Sequence, residues 1–236
     1  ARDPSALEKY RTMLAEQIQY FKVTQYFFFK QWTELKNYAN QKGIQIIGDM
    51  PIYVAADSVE VWTKPELFQL DEERNPLFVA GVPADQFSAT GQLWGNPLYA
   101  WEEHKKQGYA WWIHRIEESF KIYDVLRIDH FKGFSDYWQV DGKAEVAKDG
   151  SWQPGPGYDL FKAVKEQLGD LPIIAEDLGN IDDKARKLLT DCNYPGMKIL
   201  QFGFEDVSGE SLDSPHYCIP HSIVYTGTHD NDVTNG

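Results

Sequence analysis

Four acidic residues close short apolar runs: Asp49, Asp129, Glu176 and, just beyond Tyr225-Thr-Gly-Thr-His, Asp230. In parallel α/β folds the carboxyl ends of the strands form one face, and in eight-stranded barrels that face holds the active site. Acids far apart in sequence then converge. Any one of them serves equally well as a cap for the helix after its strand, but four in such positions point to a shared site. Arg127 and Asp129 stand two apart on one expected strand and so face the same way. A guanidinium beside a carboxylate lowers its pKa and keeps it ionised, as a carboxylate nucleophile requires. A structural ion pair has the same signature; the strand-end position and the adjacent His130 favour chemistry. Glu176 follows the apolar Pro172-Ile-Ile-Ala and precedes Asp177. Burial and nearby carboxylates raise a glutamate's pKa and suit it to general acid work. One carboxylate held charged and one held protonated is the pairing that glycosidic bond cleavage uses.

Other constellations are weaker. His216, Cys218 and His221 lie close together but lack a second pair to complete a zinc site. Asp230-Asn-Asp232 opens like a calcium loop, yet Gly236 falls one position late. Gly155-Pro-Gly157 lacks the third glycine of a nucleotide fingerprint. No metal and no cofactor is expected. Trp111-Trp112 reads as the core face of a helix, whereas Trp94, between Gly91 and Gly95, is the better platform for stacking on a ligand.

The elements that must position these groups alternate. Apolar residues from Leu7 through Tyr10, Leu14, Ile18 and Phe21 recur at helical spacing, as do Phe28, Trp32, Leu35, Tyr38 and Ala39 before Gly43. Further helices run through Tyr109–Phe120, Phe161–Leu168 and Asp182–Asp191. Five short strands are expected at Ile44–Asp49, Asp124–Asp129, Leu171–Glu176, Met197–Gly203 and Ile223–Thr226. Strands separated by helices signal βα units and a parallel sheet. Residues 50–108 break the rhythm with scattered proline and glycine and read as a long irregular insertion, of the kind that forms a lid or binding loop.

Composition narrows the partners. The 236 residues carry a formal charge of −13, which argues against nucleic acid and against an anionic membrane surface. Aromatic residues make up 14% of the chain; such rings pack cores and also stack on sugars. No apolar run approaches the ~20 residues of a membrane span. Two cysteines form no framework, and a cytoplasmic setting is expected.

The strings Ile-Gly-Asp-Met-Pro-Ile-Tyr-Val at 47–54, Gly-Val-Pro-Ala-Asp at 81–85, Gly-Gln-Leu-Trp-Gly-Asn-Pro-Leu-Tyr at 91–99, Leu-Arg-Ile-Asp-His-Phe at 126–131, Ile-Ile-Ala-Glu-Asp-Leu-Gly at 173–179 and Tyr-Thr-Gly-Thr-His-Asp-Asn at 225–231 resemble the 4-α-glucanotransferases, also called amylomaltases or disproportionating enzymes. The resemblance runs through essentially the whole chain in order, whereas the wider α-amylase clan shares only Arg-x-Asp, Glu and His-Asp. It implies an α/β fold, a (β/α)₈ barrel of which this chain supplies about strands three to seven, and no cofactor. Residues 1–236 would be an internal portion of one catalytic barrel, with 50–108 an insertion or lid.

The implied activity is transfer of α-1,4-glucan segments between malto-oligosaccharides by a retaining double displacement. On the family pattern Asp129 is the nucleophile, Glu176 the acid/base and Asp230 the residue that grips the distorted sugar. Arg127, His130, His229 and Asn231 would line the donor site, and Asp206 would bond sugar hydroxyls. Asp85 and Trp94 would belong to the loop over the acceptor, with Asp49 and Tyr53 also counted among the substrate-binding residues. Lys132 stands where the family more often has Arg. The alternatives are an α-amylase-type hydrolase with the same carboxylates, or a chain that binds glucan without catalysis.

Overall fold

The computed structural model describes residues 3–84, 88–179, 181–205 and 211–233. The chain opens with α1 (Pro4–Met13) and α2 (Ala15–Gln41), followed by β1 (Ile47–Met50), α3 (Val59–Thr63), β2 (Phe78–Val82) and β3 (Gln92–Pro97). Then come α4 (Trp101–Lys106), α5 (Ala110–Ile122), β4 (Val125–Ile128), β5 (Asp136–Asp141), β6 (Ser151–Pro154) and α6 (Tyr158–Leu168). The remaining elements are β7 (Ile173–Ala175), α7 (Asp183–Cys192), β8 (Gly196–Ile199), α8 (Leu200–Glu205) and β9 (Ser222–Tyr225).

The α/β class and the five parallel strands follow the sequence. β1, β4 and β7 pair in parallel in that order, and β8 pairs in parallel with β9. Ala175 N donates to Pro195 O at 3.0 Å, linking the end of β7 to the residue just before β8. The parallel strands therefore follow one another in chain order, with their carboxyl ends on one side.

Three expectations need correction. The insertion is far from irregular: β2 and β3 join β5 and β6 in a four-stranded antiparallel sheet, ordered β3-β2-β5-β6. Its strands are short, glycine-bearing or only partly buried, so neither clean alternation nor a continuous apolar run marks them. The strand expected over Met197–Gly203 stops at Ile199, and α8 takes over at Leu200. The two amphipathic patterns before Gly43 resolve into a short α1 and one long α2, and neither helix buries a residue.

α2 docks through polar groups. Trp32 Nε1 donates to Ile122 O at 2.7 Å, and Lys36 Nζ donates to Tyr123 O at 2.7 Å and Phe120 O at 3.2 Å. These are carbonyls at the carboxyl end of α5, where helical partners run out and a cation is favoured. The main core lies between α5, α6 and the three-stranded sheet, around Trp112, Tyr99, Phe131, Phe134 and Phe161. Trp112 is fully enclosed, as its place in the apolar helix face predicts.

Candidate active site

Parallel register brings the acids together. Asp49 on β1 lies opposite Arg127 on β4. Arg127 Nη1 donates to Asp49 Oδ1 at 2.6 Å and to Asp129 Oδ1 at 2.9 Å, while its Nε lies 3.3 Å from Met197 Sδ. The guanidinium is nearly enclosed, whereas both carboxylates are more than two-fifths exposed. One cation thus ties two carboxylates, and with Asp49 it lines a cavity of about 330 Å³ whose walls include Met197, Tyr225, Thr228 and His229. The antiparallel sheet supplies Trp94, whose ring meets the His130 ring edge-on at 4.8 Å.

Glu176 enters from β7. Its N–H continues the ladder to Ile128 O at 2.9 Å, and its carbonyl accepts from Phe131 N at 3.0 Å. Its carboxylate accepts from His130 N at 2.8 Å and Leu178 N at 2.7 Å, one bond on each oxygen. His130 adopts a left-handed backbone, φ 50 and ψ 50, uncommon for a residue with a side chain. Next to Glu176, Asp177 turns to the other side, where its Oδ1 accepts from Met197 N at 2.7 Å. A Cβ at Gly196 would fall 2.6 Å from that carboxylate, so any larger residue there has to push Asp177 aside.

The electrostatics agree with expectation at Glu176 and differ at Asp129. Burial holds the Glu176 carboxyl above the usual range, although its two N–H bonds pull the other way. The spacing of Arg127 and Asp129 predicts an aspartate below its ordinary value. Instead the Asp129 carboxyl is held above it: burial outweighs the guanidinium, and Asp49 and Asp230 add repulsion. Burial also pushes His130 down to about 4, with Lys132 adding to the effect, so its ring is neutral at pH 7.

The remaining sequence-derived residues divide. Tyr53 is buried and stacked on Tyr99 at 6.0 Å, with the Trp94 ring 6.2 Å away. His229 and Asp230 are exposed neighbours 3.5 Å apart, and His229 lines the cavity. Asn231 braces its own turn: its Oδ1 accepts from Thr228 N at 2.8 Å and Thr228 Oγ1 at 2.9 Å. Asp85 and Asp206 lie outside the described residues. Sequence reasoning missed Met197, Tyr225 and Thr228 as cavity walls. The signal was present for the first two, since Met197 and Tyr225 stand on strands already expected to be parallel. Among the described residues, the one acidic or histidine group compact enough to hold a metal ion is His114, Glu117 and Glu118, exposed on α5.

Comparison with known proteins gives a consistent picture. The family model described as 4-alpha-glucanotransferase matches residues 1–236. A 4-alpha-glucanotransferase of Streptococcus pneumoniae is 56% identical over 236 residues, covering 100% of this chain and 46% of its own length. One from Thermus thermophilus is 47% identical over 237 residues, covering 100% of this chain and 47% of its own. The structure of amylomaltase from Streptococcus agalactiae in complex with acarbose superposes with a TM-score of 0.95 at 63% identity, over 98% of this chain and 46% of that one. The chain spans about half the length of the relatives it matches. The family match over residues 1–236 places this chain in the 4-alpha-glucanotransferase family.

Proposed function

We propose that the native protein carrying these residues transfers α-1,4-glucan segments between malto-oligosaccharides with retention at the anomeric carbon. The observation that carries this reading is the pairing of Asp129, bound to Arg127, with Glu176, held by the His130 N–H on the loop that follows Asp129. Asp129 attacks the anomeric carbon while Glu176 passes its proton to the glycosidic oxygen, and the sugar chain carried by that oxygen leaves. Glu176, now a carboxylate, takes the proton of an acceptor hydroxyl, which displaces Asp129 and restores the α-linkage. The raised Glu176 pKa supports the first proton transfer. Arg127 pulls the Asp129 pKa down and so offsets part of the effect of its burial. Asp230 and His229 grip the sugar from the β9 side, with Asp206 and Asp85 as further sugar contacts. Asp49 acts through Arg127, and Asn231 shapes the turn that carries Asp230.

In this reading the parallel strands are the third to seventh of a (β/α)₈ barrel, and residues 1–236 are an internal portion of its catalytic domain. Residues 50–108, with the antiparallel sheet, form the cover over the acceptor side, Trp94 and Tyr53 supplying its aromatic wall. Cys192 and Cys218 are free thiols, which fits a reducing cytoplasm, and among the described residues no helix is long and apolar enough to cross a membrane. Incubation of the native protein with maltotriose tests the activity. Glucose together with a ladder of longer oligosaccharides is expected. A steady gain of reducing ends with no longer product would make it a hydrolase instead.

A further inference from the structure

Lys132 is a nearly buried cation that the reaction above does not use. Its ammonium donates to Asp136 at the start of β5 and, at 2.9 Å, to Asp182 Oδ2. It also sits 4.3 Å from the centre of the Trp152 ring on β6. Only 11% of the Lys132 side chain is exposed, and 13% of that of Asp136. Asp182 also caps α7, its Oδ1 accepting from Ala185 N at 2.9 Å. One side chain thus joins three parts of the molecule. Lys132 follows His130 in the loop after β4, Asp182 ends the loop after β7, and Asp136 and Trp152 belong to the antiparallel sheet.

The loops so joined are those that carry the two carboxylates. Asp129 is anchored independently, by Arg127 and by its own N–H to Met50 O at 3.0 Å. The Glu176 backbone is tied to β4 in the same way, but its carboxylate is anchored at the junction itself, resting on one N–H from each loop. Slippage between the loops therefore displaces Glu176 first and Asp129 little. We propose that Lys132, through Asp136 and Asp182, is a positioning residue that holds the Glu176 loop in register with the Asp129 loop. The proposal rests on the reading of the reaction given above. Its signature is selective: a displaced Glu176 slows bond cleavage that needs a proton at the leaving oxygen and spares cleavage that does not.

The test uses the native protein with Lys132→Met, Lys132→Arg and Asp182→Asn. The last keeps an oxygen for the Ala185 N–H while removing the charge that meets Lys132, so it probes the junction without uncapping α7. Two donors are compared, maltotriose and α-maltotriosyl fluoride, the latter through first-turnover release of fluoride. In Lys132→Met, kcat with maltotriose should fall by at least about 10-fold, with KM little changed and fluoride release within about 3-fold of the parent. Asp182→Asn should show the same selectivity to a smaller extent, and Lys132→Arg should restore most of the loss. Equal losses with both donors, or no loss with either, would overturn the positioning role while leaving the transferase reading intact. Failure of the unmodified protein to lengthen maltotriose would overturn both.

Discussion

At the scale of single residues, the central feature is one guanidinium divided between two carboxylates. Asp49 takes the shorter bond and adds its own repulsion to Asp129. The acid limb of the first-step pH profile should therefore lie above the ordinary aspartate range. Asp49→Asn removes one opposing charge and frees Arg127 to face Asp129. Among the groups facing Asp129, that leaves Asp230 and Glu176 to oppose its ionisation. The limb should move to lower pH, measured as first-turnover fluoride release from maltotriosyl fluoride. A limb that stays or rises would show that Arg127 is not shared in solution. Glu176 titrates the other side: its raised pKa puts loss of the acid form, and the alkaline limb with natural donors, above the usual glutamate value. Asp129, Glu176 and Arg127 were legible in the sequence because strand ends and two-residue spacing fix position and facing. The raised value at Asp129 was not, because burial by groups from other elements outweighs a charge two residues away. Nor was the brace at Asn231, whose side chain could reach its own turn or a sugar with equal ease in a linear reading.

Secondary-structure elements explain how such a site stays rigid, and they carry their own pH dependence. His104 on α4 is 1% exposed, with Nε2 bonded to Leu67 O at 3.1 Å, and burial pushes it down to about 4. An unfolded histidine titrates near 6.5. The folded form thus keeps its full contribution above about pH 6.5 and loses about 3 kcal/mol as pH falls to about 4. His104→Gln can still donate to Leu67 O and cannot titrate. Its stability relative to the parent should rise as pH falls through that window, as read by urea unfolding at several pH values. A constant difference would show that His104 is not held neutral. Gly196 offers a sharper probe of the β7–β8 join. Gly196→Ala drives a methyl into the Asp177 carboxylate and should cost about 1–3 kcal/mol of stability; thermal unfolding at neutral pH reads it. The five parallel strands were legible because they are short apolar runs, most of them closed by acids. The antiparallel sheet was not, because its strands come from segments on both sides of α5 and β4, and pairing of that kind leaves no local signature.

The whole molecule is acidic, with one aromatic-rich helix held chiefly by polar bonds. Tyr20, Phe21, Tyr26, Phe27, Phe28 and Phe29 of α2 are each about half exposed or more. Among the described residues, β1 and β9 each pair on one side only. Unpaired strand edges and exposed aromatic rings promote association. Expressed alone, residues 1–236 should elute above the size of a 27.2 kDa monomer, and Phe21→Glu with Phe28→Glu should reduce the excess. Monomeric elution of the unmodified polypeptide would contradict this. The net charge of −13 does not prevent it, because charge acts over the whole surface while the aromatic patch is local.

The most direct test follows the covalent bond proposed for Asp129. Glu176→Gln in the native protein should still accept maltotriosyl fluoride, because fluoride leaves without a proton, and should then stall for want of a base. Mass spectrometry of the quenched reaction should find the maltotriosyl group esterified to the peptide that contains Asp129. Asp129→Asn should form no such adduct. An adduct on any other carboxylate, or one that persists in Asp129→Asn, would contradict the assignment of Asp129 as nucleophile and Glu176 as acid/base.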